Sequence, residues 1–356
     1  MQINKDQFSL SSWRENARFH YYRGQGHLPR YLLNRLRWHV YPRLHIVTRY
    51  PEHVDMELSA VCNMRCPMCY TITDDFRQRV KRGLMDGALW RKIVDEAATG
   101  GVFSLRLSLR GEPTLHPEFV AAAHYAKRRG IKEVASLTNA LALTPEMFEQ
   151  LVEAGLDWLT ISVDGVGQTY ERIRWPARFD DLLGKLRAFQ AIKRRRRRHK
   201  PVVKVQSVWP AIQDDPQQYY QTLRPWVDQI ACNPLVDYLG RDTAAGLVEY
   251  QRNFDCHVLY QRLAVGADGK VLFCIYDEFG DDYIGDLNRQ TIHEIWHGAA
   301  LTVARAAHRQ HRGVAVYRSC ARCPNARQTE VITTARVGTR PIAVNALTAR
   351  VQELGR

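Results

Sequence analysis

The sequence predicts an α/β fold, a parallel barrel followed by a small β-hairpin and helix domain, and three observations carry that expectation. Strand-like and helix-like stretches alternate from Val54 to Val208, the pattern of a parallel sheet with helical crossovers. Polar residues gather just past the strand ends, where such folds build their sites. Beyond Cys256 the alternation stops, and two apolar runs joined by Asp268-Gly269 read as a hairpin. With 356 residues and 45% hydrophobic content, the chain can bury the core of one large and one smaller domain. The expected divisions are a basic aromatic arm over 1–50, the barrel over 51–235, the small domain over 236–330 and a tail over 331–356.

The arm comes first. It interleaves Trp13, Phe19, Tyr21, Tyr31 and Trp38 with nine Lys or Arg residues against only Asp6 and Glu15. Leu28, Tyr31, Leu32, Leu36 and Val40 recur at helical spacing. That stripe fits either a helix packed on the barrel or a surface that docks on anionic lipid or an acidic partner.

The first barrel strand, Val54–Leu58, runs into Cys62-Asn63-Met64-Arg65-Cys66-Pro67-Met68-Cys69. Thiols packed this closely repel and oxidise unless a soft metal centre holds them. A zinc ion would want a fourth ligand nearby, whereas a four-iron cluster on three Cys leaves one iron open. A helix over Asp86–Gly100 and a strand over Val102–Leu109 lead to Arg110-Gly111-Glu112-Pro113 and His116. A helix over Glu118–Arg129 and a strand over Glu133–Leu137 lead to Thr138-Asn139. A helix over Pro145–Ala154 and a strand over Trp158–Ser162 lead to Val163-Asp164-Gly165. One more helix enters the run Arg194–Arg198, and the strand Val202–Val208 comes next. Like charges this dense stay exposed, as a solvated helix end or as a grip on phosphate.

In the second half, Cys256, Cys274, Cys320 and Cys323 leave gaps of 17, 45 and 2 residues. Four soft ligands of this kind suit a closed zinc site or an iron–sulfur cluster equally. Cys232 stands apart from both sets.

On these residues the chain resembles the radical S-adenosylmethionine (SAM) superfamily, and its C-terminal part resembles the SPASM/twitch extension, with spacing similar to that of twitch-type 2-deoxy-scyllo-inosamine dehydrogenases. The resemblance runs roughly from residue 54 to 325. It implies a partial (β/α)6 TIM-like barrel with an auxiliary-cluster domain, and two 4Fe–4S clusters, one on Cys62, Cys66 and Cys69 and one on Cys256, Cys274, Cys320 and Cys323. Gly111 and Glu112 look like the family's GGEP element, which receives the SAM ammonium, with Arg110 in place of the first Gly. Thr138 and Asn139 match its TNG segment, with Ala140 for the Gly. Ser162 matches a position near the SAM ribose, and Asp164 one facing the reaction chamber.

The same resemblance implies reductive cleavage of SAM to a 5′-deoxyadenosyl radical that takes a hydrogen atom from a substrate C–H. The expected outcome is a two-electron oxidation, a dehydrogenation or cross-link, of a carbohydrate, cyclitol or peptide, with the auxiliary cluster accepting an electron and Asp164, His116 or Asp277 as candidate bases. An external reductant such as flavodoxin or ferredoxin is implied. The alternative outcome is epimerisation with Cys232 as hydrogen-atom donor; otherwise Cys232 is a packed thiol. A reading of another class is a zinc-bearing RNA-binding module, drawn from the basic arm and the Arg run. The net charge of +14 is concentrated in the arm and in Leu186–Lys200, which has eight Lys or Arg and no acid. A nucleic-acid enzyme spreads its charge over a face instead, so nucleic acid is not an expected partner. The absence of a long apolar run or signal-like start points to the cytoplasm, with peripheral membrane contact through the arm as the other expectation.

Overall fold

The computed structural model describes the chain apart from residues 1–3, 5, 6, 238, 349, 352, 355 and 356, and apart from the side chains of 332–335. The chain runs through β1 (Phe8–Ser9), α1 (Trp13–Arg23), α2 (Leu28–Val40), β2 (His53–Met56), α3 (Asp74–Arg79), α4 (Gly87–Thr99), β3 (Ser104–Arg106), α5 (Phe119–Arg128), β4 (Glu133–Thr138), α6 (Pro145–Ala154) and β5 (Trp158–Ser162). It continues through α7 (Gly167–Ile173), α8 (Phe179–Arg195), β6 (Val202–Val208), α9 (Pro216–Leu223), β7 (Gln229–Asn233), α10 (Arg241–Ala244), β8 (Arg262–Val265), β9 (Lys270–Leu272) and β10 (Tyr283–Asp286). Last come α11 (Ile292–Trp296), α12 (Ala299–Arg309), α13 (Gly313–Val316), α14 (Arg318–Ala321), β11 (Thr329–Val337) and β12 (Arg340–Leu347).

One sheet carries the molecule, in the order β1-β7-β6-β5-β4-β3-β2-β8-β9-β10. Strands β2 to β7 lie parallel in sequence order, and each is followed by helix, so the expected six-unit parallel architecture is present. The barrel stays open because its two edges take other partners. β1 pairs antiparallel with β7, Phe8 opposite Cys232, and β8 pairs parallel with β2. The C-terminal hairpin thus extends the barrel's own sheet.

Local sequence explains most boundaries. Asp86 caps α4 by accepting from the Ala88 and Leu89 amides, and Ser12 with Glu15 forms a capping box on α1. Thr144 precedes Pro145 at the start of α6, which Gly155 ends at φ +81°. The inward faces of α5, α6 and α8 supply Phe119, Phe148, Leu186 and Phe189 to the core, with Phe148 and Phe189 stacked at 4.1 Å.

Four expectations need correction. The strand read over Val102–Leu109 pairs only from Ser104 to Arg106, because past it the Ser108 side chain takes over the Leu137 amide. β7 was not foreseen: its five residues lack alternation, and pairing with β6 and β1 makes it a strand. The third concerns α2, whose inward face is Tyr31 and Asn34, while Leu32 and Leu36 are each 59% exposed. The barrel end beneath α2 is polar, so the side chains that can hydrogen-bond face it: Tyr31 meets His20, and Asn34 donates to Glu52 at 2.6 Å. The stretch read as a tail forms the β11–β12 hairpin, which reaches back through Arg340 to the Leu10 carbonyl. No described helix is long and apolar enough to cross a membrane.

Candidate active site

The loop after β2 brings Cys62, Cys66 and Cys69 to the C-terminal end of the sheet. Cys62 stands at the accessible lip, Cys69 is half-buried and Cys66 is buried. Packing around Cys62 pushes its thiol up to about 11, with Cys69, Glu112 and Cys66 adding to the rise. Burial also raises Cys66, against which Arg174 works, its guanidinium 3.7 Å from the sulfur.

Gly111 sets how closely the β3 loop approaches this one. A Cβ there would lie 2.4 Å from the Ser59 carbonyl oxygen and 2.5 Å from that of Val61, so only glycine fits. The next amide, Glu112, donates to Val61. The Glu112 carboxylate is 2% exposed. It accepts from Thr138 Oγ1 at 2.6 Å, from the Asn139 amide at 2.7 Å, and from Thr114 through both amide and hydroxyl. Burial raises its pKa, and among the described residues no cation pairs with it. Asn139 reaches on to Asn63 at 2.8 Å and to the Cys62 sulfur at 3.7 Å. Ala140 takes the left-handed φ of +61° that the missing glycine of the TNG pattern would favour. Gly111, Glu112, Thr138 and Asn139 therefore converge with the three cysteines. Ser162 ends β5 opposite Gln206, half-buried.

The candidate bases fare differently. His116 is buried between the Met85 carbonyl and the Glu118 amide, which engage both ring nitrogens, so no lone pair is left for proton transfer and its role is structural. Asp164 is held at 2.7 and 2.5 Å by Arg174, and its other oxygen accepts from the Val208 amide. Both oxygens are thus engaged, and Asp164 positions the guanidinium that meets Cys66. Although burial opposes its charge, Asp164 and Cys66 hold Arg174 above its ordinary value. Asp277 accepts from the amides of Asp281, Asp282 and Phe273 and so fastens the loop that follows Cys274. Burial pushes it up to about 6.

Cys256, Cys274, Cys320 and Cys323 are all buried and unbridged. Burial drives the Cys274 thiol far up, and Cys323, Cys320 and Cys256 add to it, so the four sulfurs lie within one another's field. Buried thiols of this kind become ligands only where a metal centre supplies positive charge. Around them, the side-chain amide of Asn325 and Nδ1 of His308 lack hydrogen-bond partners among the described residues, and His308 Nε2 sits 3.5 Å from Cys320. The donor set fits a soft cluster. No group of three His, Cys, Asp or Glu among the described residues is gathered as tightly as a single metal ion requires.

Two buried residues, Arg110 and Glu57, join the halves. Arg110 is buried and grips Glu57 at 2.8 and 2.5 Å, while Glu57 accepts from the Ala267 amide and Arg110 reaches the Glu278 carbonyl. The residue that replaces the family's glycine thus fastens the barrel top to the hairpin. Glu278 is buried near Arg110 and Arg322, makes no ion pair among the described residues, and is pushed up to about 8 by burial. Cys232 is fully buried in the core, which raises its thiol to about 12.

Comparison with known proteins matches residues 56–203 to the description "Radical SAM superfamily" and residues 256–324 to "Iron-sulfur cluster-binding domain" (SPASM). Over 124 residues the chain is 34% identical to the tungsten-containing aldehyde ferredoxin oxidoreductase cofactor-modifying protein of Pyrococcus furiosus, covering 32% of this chain and 31% of that protein. Over 139 residues it is 32% identical to the AdoMet-dependent heme synthase of Methanosarcina barkeri, 38% of each. The matches span about a third of these relatives' length. Among solved structures the fold is similar to BtrN in complex with AdoMet and 2-DOIA (TM-score 0.53, 18% identity, 74% of this chain and 89% of that one). It is also similar to Streptococcus suis SuiB bound to S-adenosylmethionine (TM-score 0.54, 13% identity, 83% and 77%).

Proposed function

We propose that this chain, which belongs to the radical SAM superfamily and carries a C-terminal SPASM iron–sulfur domain, oxidises a substrate C–H by two electrons, as a dehydrogenase or cross-linking enzyme. Its cofactors are SAM and two four-iron clusters, held by Cys62, Cys66 and Cys69 and by Cys256, Cys274, Cys320 and Cys323. Bound at the first set, SAM and its cluster would supply a carbon radical strong enough to take a hydrogen atom from an unactivated carbon, and a cluster on the second set would accept the electron left on the substrate when its proton departs.

The chain's part is to bind, orient and neutralise. Glu112, buried and without a cation, receives the SAM ammonium, and Thr114, Thr138 and Asn139 keep its carboxylate aimed. Arg174, fixed by Asp164, offsets the charge of the Cys66 thiolate. Glu278 is the group we assign to take the substrate's proton, since His116, Asp164 and Asp277 are all committed to other contacts. Substrates of carbohydrate, cyclitol or peptide type enter at the open lip by Cys62, and a flavodoxin or ferredoxin supplies the priming electron.

The single observation that carries the reading is the pairing of an accessible three-thiol loop beside Glu112 with four buried thiols, Cys256 and Cys274 flanking the adjoining hairpin and Cys320 and Cys323 at the end of α14. Oxidation is favoured over epimerisation because Cys232 lies in the core without solvent contact, where a spent thiyl would be hard to re-reduce. Anaerobic metal analysis tests it: we expect close to eight irons per chain by cluster arithmetic, stoichiometric zinc being the opposing result. Cys66→Ala should abolish 5′-deoxyadenosine formation and keep roughly half the iron.

A further inference from the structure

We propose that the N-terminal end of the barrel, opposite the cysteine loop, docks flat on an anionic membrane surface. Helix α2 crosses that end of the sheet. Its path is marked by Lys200 holding the Gln25 carbonyl just before β6, by Asn34 on Glu52 just before β2, and by Gln261 on the Trp38 carbonyl just before β8. With Tyr31 and Asn34 turned inward, the outward face carries Leu32, Leu33 and Leu36, exposed by 59, 46 and 59%. Leu44 and Ile46 in the following loop extend the patch at 62 and 40%. Spacing of three and four residues makes these leucines one stripe, and facing outward it has no partner among the described residues.

The charge around the stripe identifies what covers it. The turns that enter the parallel strands lie at the same end of the sheet, and they carry Arg43 and Arg49 before β2, Arg128 and Arg129 before β4, and Arg194–Arg198 before β6, all exposed. Carboxylates there are already paired: inward, Asp157 with Lys127 and Lys200, Asp228 with Lys193 and Glu133 with Arg23, and nearer the surface Asp95 with Arg129, Glu149 with Arg195 and Arg196, and Glu153 with Arg196. Arg194, Arg197 and Arg198 have no carboxylate partner among the described residues, and with Arg18 and Tyr22 they line an open hollow of about 530 Å³. Exposed leucines ringed by guanidiniums fit the boundary of an anionic bilayer, apolar side chains entering the acyl edge while arginines meet headgroup phosphate. The opposite end, with Cys62 at its lip, then faces the aqueous side.

The test is co-sedimentation of the full-length holoprotein with vesicles of phosphatidylcholine alone or mixed with phosphatidylglycerol. Binding is expected on the mixed vesicles only, and high salt should release it. Leu32→Ser/Leu33→Ser/Leu36→Ser and, separately, Arg194→Gln/Arg197→Gln/Arg198→Gln should each weaken partitioning by about tenfold or more. Because these side chains are exposed, melting temperature and 5′-deoxyadenosine formation should stay at wild-type values. Three results would overturn the proposal: wild-type protein that ignores the mixed vesicles at low salt; leucine variants that bind them as wild type does; or a wild-type dimer that the leucine variants convert to monomer, which would make a second copy the occupant.

Discussion

Gly111 illustrates how one missing side chain sets the geometry of the cofactor loop. With carbonyl oxygens 2.4 and 2.5 Å and an amide nitrogen 2.8 Å from the site of a Cβ, the obstacle is backbone on every side and cannot rotate away. Gly111→Ala should therefore cost about 2–3 kcal/mol and move the Glu112 carboxylate. The outcome to measure is a lower melting temperature together with weaker SAM binding; unchanged SAM affinity would mean that the loop position is not critical. Lys204 makes a second case. It is buried, donates to Gln7 and lies over the Trp158 ring, and burial with the nearby Arg23 and Arg106 charges lowers it to about 7. The unfolded chain holds that proton until about pH 10, so between these values the unfolded state binds more protons and stability rises with pH. From pH 6.5 to 9 the wild type should gain stability relative to Lys204→Met, by up to a few kcal/mol. Parallel stability profiles of the two proteins would disprove the assignment.

At the scale of elements, the contact between barrel and hairpin rests on Arg110 and Glu57, both buried. Removing one partner of such a pair leaves the other charged and desolvated, a cost of about 3–5 kcal/mol, whereas removing both costs much less. Arg110→Met should loosen residues 266–278, read as faster amide exchange there, and adding Glu57→Gln should restore much of the protection. This junction was not legible in the sequence, where Arg110 stood out only as a departure from a glycine and its partners lie 53 and 168 positions away. Arg174 is hidden for the same reason: it follows the end of α7, and only the path of that helix after the β5 turn returns it to Asp164 and Cys66. What could be read were features that act locally, namely the cysteine spacings, the polar ends of strands and the Asp-Gly hairpin. For α2 the sequence leaves two readings open, because its apolar spacing is regular and periodicity cannot tell whether the surface beneath a helix is oily or charged.

Over the whole molecule, the N-terminal arm does more than cover one end of the barrel. β1 closes the open edge at β7, where a free edge would otherwise offer unpaired amides and carbonyls to another chain. Just before it, buried Asn4 donates to the carbonyls of Pro324 and Arg327, the segment that follows Cys323. One short stretch thus touches the barrel's last strand and the loop after Cys323, so a cluster held there would depend for its stability on Asn4. Asn4→Ala leaves the Pro324 carbonyl without its donor and takes one of two donors from the Arg327 carbonyl, which Gln251 also meets, a local cost of about 1–3 kcal/mol, and among the described residues no contact of Asn4 reaches the loop of Cys62. On exposure to air the variant should lose its auxiliary cluster sooner than the wild type while still cleaving SAM to 5′-deoxyadenosine. Iron content followed against time, with electron paramagnetic resonance to separate the two clusters, distinguishes this from general instability, in which both clusters would decay in step.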